Sequence, residues 1–223
     1  MSRARLIDLS HVLRDGLHTY PGLPAPTVVE HLSRAAAEEI YGPGVTFQIA
    51  MITLCSNTGT YMDVPFHRFA DGHDLAGLPL ERVAGIPALC IDARGRRSVG
   101  LDLLDGVEVG GRAVLFHTGH SRHFGTPAYE VDHPFVDRAV ADALVAGGAV
   151  CVGIDSLNID AISGPEGDGR PIHTTLLRAG IPIVEHLTNL AELPPDGFRF
   201  TAVPPKIEGV GTFTVRAFAD VPG

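Results

Sequence analysis

The chain has 223 residues, a length that buries one sizeable hydrophobic core and predicts a single domain over residues 1–223. Hydrophobic residues make up 45% of it and charged residues 19%, which argues against a disordered chain. Its formal net charge of −9 argues against nucleic-acid binding, because neutralising phosphates requires a basic surface.

The N-terminal residues run directly into a strand-like segment without an apolar signal region, and no apolar run is long enough to span a bilayer. The three cysteines, Cys55, Cys90 and Cys151, each lie in an apolar segment. An odd number of cysteines placed in this way is typical of reduced thiols in a core. We therefore expect a cytoplasmic protein that binds neither nucleic acid nor membranes.

Many short elements, punctuated by 26 glycines and 17 prolines, are predicted along the chain. Strands are predicted where Val, Ile, Phe and Thr accumulate between such breaks, and helices where apolar residues recur at intervals of three or four. In chain order the first elements are strands Arg5–Leu9 and Thr27–His31, helix Arg34–Ile40, strand Val45–Leu54, a short helix Leu80–Val83, and strands Ala88–Ile91 and Ala113–His117.

The second half of the chain contains the clearest predicted helix. It covers Phe135–Ala146, follows Pro134 and ends at a Gly-Gly pair. The elements after it are strand Ala149–Ile154, helix Thr174–Ala179, and strands Ile181–Val184, Phe198–Val203 and Thr212–Phe218. The strand that ends at Ile154 leads into a polar loop, a position that commonly holds sites in open sheets.

Two groups of polar residues carry the candidate chemistry. Asp63 and His67 follow a predicted strand, and a carboxylate with an imidazole suits Zn²⁺ or Mn²⁺. An aspartate that caps a turn beside a hydrogen-bonded histidine has the same spacing. Far downstream, His173 and Glu185 are joined through the Gly180 turn. A glutamate at the end of an apolar run needs a partner, because burying an unpaired carboxylate is costly, and a cation is one candidate.

Several ordered blocks resemble the cyclase superfamily of metal-dependent hydrolases, which includes bacterial kynurenine formamidase and isatin hydrolase. The family's His-x-Gly-Thr-His-x-Asp-x-Pro-x-His signature is matched at Gly59, Thr60, Asp63, Pro65 and His67. Further blocks extend over nearly the whole chain: Asp8–His11, Tyr20–Gly22, Phe69–Gly72, Leu115–Gly119, Gly153–Ser156, His173, Glu185–Leu190 and Pro204–Gly209. The resemblance implies an α/β fold of the swivelling β/β/α type, with a mixed, partly barrel-like sheet and a few covering helices.

Position by position, the resemblance implies metal ligands at Asp63, His173 and Glu185 and an acid/base at His67. At the two leading ligand histidines of the family this chain has Asn57 and Tyr61, and both are poor ligands when neutral. Tyr61 is then a second catalytic candidate, as a proton donor. The candidates for substrate binding are Asn57, His120 and Phe66.

Three hypotheses follow from the two replaced histidines. One divalent metal ion, Zn²⁺ or Mn²⁺, is retained by the remaining ligands; or His117, His120 or His123 compensates for the missing ones; or the site is metal-free and its carboxylate–imidazole pairs carry acid/base chemistry. We rank the single ion first, because converging carboxylates repel one another unless they are neutralised.

The resemblance implies metal-assisted hydrolysis of a C–N or C–O bond in a small amide, formamide or lactone. The alternatives are a metal-free cyclase, dehydratase or isomerase of a biosynthetic pathway, and a non-catalytic protein that binds small molecules in the same pocket. Relatives form homodimers or homotetramers, so we expect an oligomer that acts on a small-molecule substrate.

Overall fold

A computed structural model describes residues 5–223, in which a mixed nine-stranded sheet curls into a half-barrel accompanied by three α-helices. The helices are α1 (Arg34–Tyr41), α2 (Arg138–Gly147) and α3 (Pro171–Arg178). The strands are β1 (Arg5–Asp8), β2 (Thr27–Leu32), β3 (Ile49–Thr53), β4 (Tyr61–Asp63), β5 (Ile86–Asp92), β6 (Ser98–Val99), β7 (Ala113–His117), β8 (Phe135–Val136), β9 (Cys151–Ile154), β10 (Ile183–Glu185), β11 (Phe198–Thr201), β12 (Thr212–Thr214) and β13 (Phe218–Val221). The predicted α/β class with a mixed, partly barrel-like sheet is confirmed.

The large sheet has the strand order β1-β13-β11-β5-β7-β9-β10-β4-β12. Its centre, β5-β7-β9-β10, is parallel, and the strands on both sides of this centre pair antiparallel. Two small ribbons lie apart from it, an antiparallel β2–β3 pair and a parallel β6–β8 pair. Parallel strands need crossover connections, and α2 and α3 lie in the segments that lead from β7 to β9 and from β9 to β10.

Successive side chains along the central strands point to opposite faces of the sheet, so the sheet has two hydrophobic cores, one on each face. On one face, Val114, Phe116 and Ile183 pack with Leu144 of α2 and Leu176 of α3, and we call this the helix face. Ala113, Leu115 and Val184, which are next to them in sequence, belong to the core of the opposite face, together with Phe198 and Phe200 of β11.

Strand β4 brings polar side chains onto the helix face. Asp63 lies opposite Ile183, and Tyr61 lies opposite Glu185 on β10. Residues directly opposite each other on neighbouring strands share a face, so Tyr61, Asp63 and Glu185 all point to the side that α3 covers. Met62, between them, packs into the other core.

The boundaries of α2 and α3 have local causes. Asp137, in extended conformation, is the cap residue that starts α2, and Gly148 ends it with a left-handed φ of 76° that glycine adopts without strain. Helix α3 begins with Pro171, which suits a first helical turn. The helix predicted at Thr174–Ala179 therefore starts earlier, and His173 lies in its first turn.

Three sequence predictions are corrected. The helix predicted over Phe135–Ala146 starts only at Arg138, because Phe135–Val136 pairs with Ser98–Val99 as a strand. The strand predicted at Val45–Leu54 is confined to β3, whose partner β2 has only six residues. The strand predicted at Thr212–Phe218 is two strands: β12 pairs with β4 at one edge of the sheet, and β13 pairs with β1 and β11 near the other.

Strand β4 itself was not predicted. The short helix predicted at Leu80–Val83 is a single 3₁₀ turn at Leu80–Arg82. The other predicted strands and α1 agree with the structure to within two residues at each end. Over the described part of the chain, none of the helices is both long and apolar enough to cross a membrane.

Candidate functional site

A cavity of about 330 Å³ opens on the helix face beside β4 and the start of α3. Four of the sequence-predicted site residues line it: Asn57, Tyr61, His67 and His173. The remaining lining residues are Tyr20, Leu23, Arg68, Asn158 and Arg170. The cavity thus joins three parts of the chain that are far apart in sequence: the segment with Tyr20 and Leu23, the segment around β4, and the loop that leads from β9 into α3.

Asp63 is fully buried beneath this cavity. Its Oδ1 accepts a hydrogen bond from the hydroxyl of Thr212, its partner across the β4–β12 pair. Its Oδ2 has no hydrogen-bond partner among residues 5–223, although His173 Nε2 is 3.4 Å away. Burial raises the pKa of Asp63, but the imidazoles of His67 and His173 outweigh it, so the pKa is below its usual value and the carboxylate is charged.

His173 is held by a second buried carboxylate. Its Nδ1 is 2.6 Å from Oδ2 of Asp160, and Asp160 also accepts the backbone N–H groups of Ile172 and His173 in the first turn of α3. Since an ionised carboxylate only accepts, Nδ1 carries the hydrogen, and Nε2 points towards Asp63 and to within 3.7 Å of Glu185 Oε1. Burial lowers the pKa of His173, but the hydrogen bond to Asp160 and the nearby carboxylates of Asp63 and Glu185 raise it to about 10.

His67 is linked to Asp63 through Thr212. The Thr212 hydroxyl lies 2.6 Å from His67 Nδ1 and donates its single hydrogen to Asp63. It must therefore accept from His67, which places the ring hydrogen on Nδ1 and leaves a lone pair on Nε2. The side chain of His67 is 34% exposed, whereas that of His173 is 6% exposed. In its neutral form, His67 therefore carries its lone pair on Nε2, and its ring is the more exposed of the two.

Tyr61 and Glu185 form a direct pair. The phenol donates to Glu185 Oε2, which Asn158 Nδ2 also approaches at 3.4 Å, and Oε1 accepts the backbone N–H of Ile159 at 2.6 Å. Burial raises the pKa of Glu185 to about 7, against the lowering effect of His173. Burial and the neighbouring carboxylates raise the pKa of Tyr61 well above its usual value, so this tyrosine is a neutral donor.

Two of the candidates for substrate binding lie elsewhere. Phe66 is half-buried and does not line the cavity, and His120 is buried with its Nε2 2.9 Å from the backbone oxygen of Tyr129. Asn57 lines the cavity, and its Oδ1 accepts from Ser56 Oγ. In the described chain, the group of three side chains whose ligand atoms come within 4.8 Å of one another is Asp63, His67 and His173. It includes none of the three histidines considered as compensating ligands.

Sequence reasoning missed several residues of the site. Asp160 lies in the polar loop after the strand that ends at Ile154, where an aspartate commonly caps a turn; its carboxylate does cap α3, and it also orients His173. Thr212 had no signal, because its role depends on the pairing of β12 with β4. Arg170 had no sequence signal either. In the structure its left-handed φ of 51° is an unusual backbone conformation for a residue with a side chain. Tyr20, which Arg170 contacts, was noted only as part of a block similar to the family.

The donor set fits one divalent cation. Asp63 Oδ2 is an orphaned buried acceptor, and His173 Nε2 lies within ligand–ligand distance of it. Ligand histidines characteristically donate their other ring N–H to a carboxylate, as His173 does to Asp160. Oxygen and imidazole donors suit Zn²⁺ and Mn²⁺ alike.

Comparison with known proteins gives a consistent set of relatives. The sequence model of the Cyclase family matches residues 7–161. A kynurenine formamidase of Salinibacter ruber is 32% identical over 176 residues, which cover 76% of this chain and 78% of that protein. A kynurenine formamidase of Geobacillus thermodenitrificans is 26% identical over 212 residues, covering 95% of each chain.

Solved structures share the fold over almost the whole length. Isatin hydrolase A from Ralstonia solanacearum superposes with a TM-score of 0.85 at 25% identity, covering 98% of this chain and 92% of that one. An isatin hydrolase bound to the product analogue thioisatinate gives a TM-score of 0.84 at 22% identity, with 99% and 93% covered. The arrangement of strands and helices described above is therefore that of these hydrolases.

Proposed function

The chain belongs to the Cyclase family, and on that premise we propose that it hydrolyses the C–N bond of a small amide or formamide, or the C–O bond of a related lactone, with one divalent cation. Amide hydrolysis is the chemistry of its kynurenine formamidase relatives. The observation that carries the proposal is the convergence of Asp63 Oδ2 and His173 Nε2 beside His67, whose Nδ1 bonds to Thr212.

Asp63 and His173 would hold the cation, which is zinc or manganese, with Glu185 as the third protein ligand. Glu185 Oε1 is 3.7 Å from His173 Nε2 and keeps a lone pair besides the one that accepts from Ile159. When bound, such a cation supplies Lewis acidity, which polarises a carbonyl oxygen and makes a water molecule more acidic.

His67 is the acid/base in this proposal. Its Nε2 takes a proton from the attacking water and returns it to the leaving nitrogen, so that an amide and water give a carboxylic acid and an amine. Thr212 and Asp63 hold the ring in the tautomer that this role requires. Positioned acid/base groups contribute about 10²–10⁴-fold to such reactions. Neutral Tyr61, at the cavity wall, donates its single hydroxyl hydrogen to Glu185 and so holds that carboxylate in place.

One observation favours a second candidate, a metal-free acid/base enzyme that uses the same pocket. His173 has a pKa of about 10, and as an imidazolium it offsets the charges of Asp63 and Asp160. The two candidates differ in their response to a chelator, because only the hydrolase with a cation loses activity in EDTA and regains it with added metal.

The test uses purified protein loaded separately with Zn²⁺ and Mn²⁺. Formanilide and isatin serve as an aryl formamide and a cyclic amide, and the matched control is His123→Gln, since His123 does not line the cavity. Turnover by wild type and His123→Gln, absent in His67→Gln, supports the proposal. If no amide, formamide or lactone in a broad panel is turned over, the proposal is contradicted and the alternative of a non-catalytic small-molecule binding protein is favoured.

The assembly and its compartment are part of the same proposal. We expect a homodimer or homotetramer, because the β2–β3 ribbon exposes Val29, Met51 and Ile52 at about 60% each. All three cysteines are free thiols, which suits the cytoplasm. Light scattering of wild type and Met51→Glu tests the assembly, and a monomeric wild type would contradict it.

A further inference from the structure

Two arginines line the cavity without a carboxylate partner. Within the described residues, seven other arginines each have a carboxylate oxygen within 4.0 Å: Arg5, Arg94, Arg96, Arg97, Arg112, Arg178 and Arg216. Arg170 and Arg68 have none in the same residues, and neither have Arg14, Arg34, Arg82, Arg122, Arg138 and Arg199. Arg170 and Arg68 differ from these other unpaired arginines because they line the cavity.

Arg170 is the more buried of the two. Its guanidinium donates to Asn158 Oδ1 at 2.7 Å and to the Tyr20 hydroxyl at 3.2 Å, and both partners are neutral. A guanidinium has five N–H groups, so these two bonds leave donors unused beside the cavity. Its backbone is held in a left-handed conformation where the loop meets α3, and such conformations persist at sites that need a fixed side chain.

Arg68 lies exposed at the rim of the same cavity. Its Nε donates to Thr174 Oγ1 at 3.3 Å and its Nη2 to the backbone oxygen of Gly169 at 3.2 Å, again neutral partners. The guanidinium of Arg68 is thereby attached to the segment 169–174, to which Arg170 belongs. No Asp or Glu is among the described residues that line this cavity. The lining thus carries two guanidinium charges, and the carboxylates of Asp63, Asp160 and Glu185 lie buried behind it.

We propose that this pocket is specific for substrates that carry a carboxylate away from the scissile bond, with Arg170 as the main recognition residue and Arg68 at the rim. Charge-assisted hydrogen bonds from arginine to a carboxylate are among the stronger polar contacts in proteins. The expectation that the molecule carrying this carboxylate is an amide substrate rests on the proposed function. The anion site itself rests only on the two arginines and can be measured without turnover.

The binding test compares benzoate with nitrobenzene, which has the same shape and no charge, by titration calorimetry. We expect wild type to bind benzoate at least about tenfold more tightly than nitrobenzene. Arg170→Gln removes most of this preference and Arg68→Gln part of it. Arg138→Gln, the same change at an exposed arginine of α2, keeps it. Arg68→Gln carries the test if Arg170→Gln does not fold.

Two outcomes would overturn the inference. One is equal affinity for the two probes in wild type. The other is a preference that survives both substitutions, which places the benzoate on the cation or elsewhere. Kinetics separate this inference from the proposed function: the ratio of kcat/KM for 4-formamidobenzoate over formanilide falls in Arg170→Gln and not in Arg138→Gln. If the protein prefers benzoate through Arg170 but hydrolyses neither formanilide nor 4-formamidobenzoate, the anion site is supported and the proposed function is contradicted.

Discussion

The phenol of Tyr61 donates a hydrogen bond to the carboxylate of Glu185, the residue directly opposite it across the β4–β10 pair. The two residues are 124 positions apart in sequence, and both are buried. Their contact explains how a glutamate can end a buried apolar strand. Tyrosine at this position supplies a donor to the carboxylate, where the family signature has a ligand histidine.

Replacing Tyr61 by Phe should destabilise the protein by about 1–3 kcal/mol, the usual cost of leaving a buried polar group without its partner. Tyr129→Phe is the matched control: Tyr129 is equally buried, but its hydroxyl has no partner among the described residues. Urea unfolding measures both variants. Equal stability of Tyr61→Phe and wild type would show that the pair contributes nothing.

Asp160 orients His173, so Asp160→Asn should weaken cation binding by about 10–100-fold, as is usual for the outer partners of ligand histidines. Competition with a chromogenic chelator gives the affinity. Asp155→Asn is the control, because Asp155 is another fully buried aspartate but accepts from Thr118 and Gly119 instead. Identical affinities in the two variants would remove Asp160 from the site.

Thr212 transmits the contact between His67 and Asp63, so Thr212→Val should lower kcat by about tenfold or more, with metal content unchanged. Thr212→Ser retains the hydroxyl and should restore most of the rate. Thr214→Val, two residues along the same strand, loses only a hydrogen bond to the backbone oxygen of Thr58 and should leave kcat near that of wild type. A full rate in Thr212→Val would contradict the link.

Stability should fall in mild acid because of buried neutral histidines. Burial lowers the pKa of His186 to about 3 and that of His133 to about 4. Unfolded histidine titrates near pH 6.5, so below that pH the unfolded chain binds protons that the native state does not. The stabilisation is complete above about pH 6.5 and is lost towards pH 4, at about 1.4 kcal/mol per pH unit and histidine. His186→Asn should flatten the slope in urea unfolding, and an unchanged slope would exclude His186 as its source.

The sequence predicted the parts of the fold that depend on local pattern. Strand β7 was predicted with its observed bounds, because a short apolar run that contains Val and Phe between polar ends favours a strand. The helix start at Phe135 was wrong, because Pro134 suits a helix but long-range pairing with Ser98–Val99 keeps the next residues extended. Strand β4 has three residues and exists through its neighbours β10 and β12, so it has no signal of its own.

The candidate site could be predicted in part. Asp63, His67, His173 and Glu185 come together as the resemblance implied, since each lies in a matched block. The partners that set their protonation could not be predicted in the same way. Thr212 meets Asp63 from 149 positions away, and the contact of Arg170 with Tyr20 spans 150 positions. Such contacts depend on strand register and loop path, which periodicity does not encode.

The most direct test of the one-cation site is metal content per chain, measured by elemental analysis on protein purified without chelators. Wild type, Asp63→Asn and His67→Gln are compared after loading with Zn²⁺ or Mn²⁺. We predict about one ion per chain in wild type, its retention in His67→Gln without turnover, and its loss in Asp63→Asn. Loss of the ion in His67→Gln would make His67 a ligand instead of the acid/base. No ion in wild type would contradict the cation-assisted mechanism as a whole.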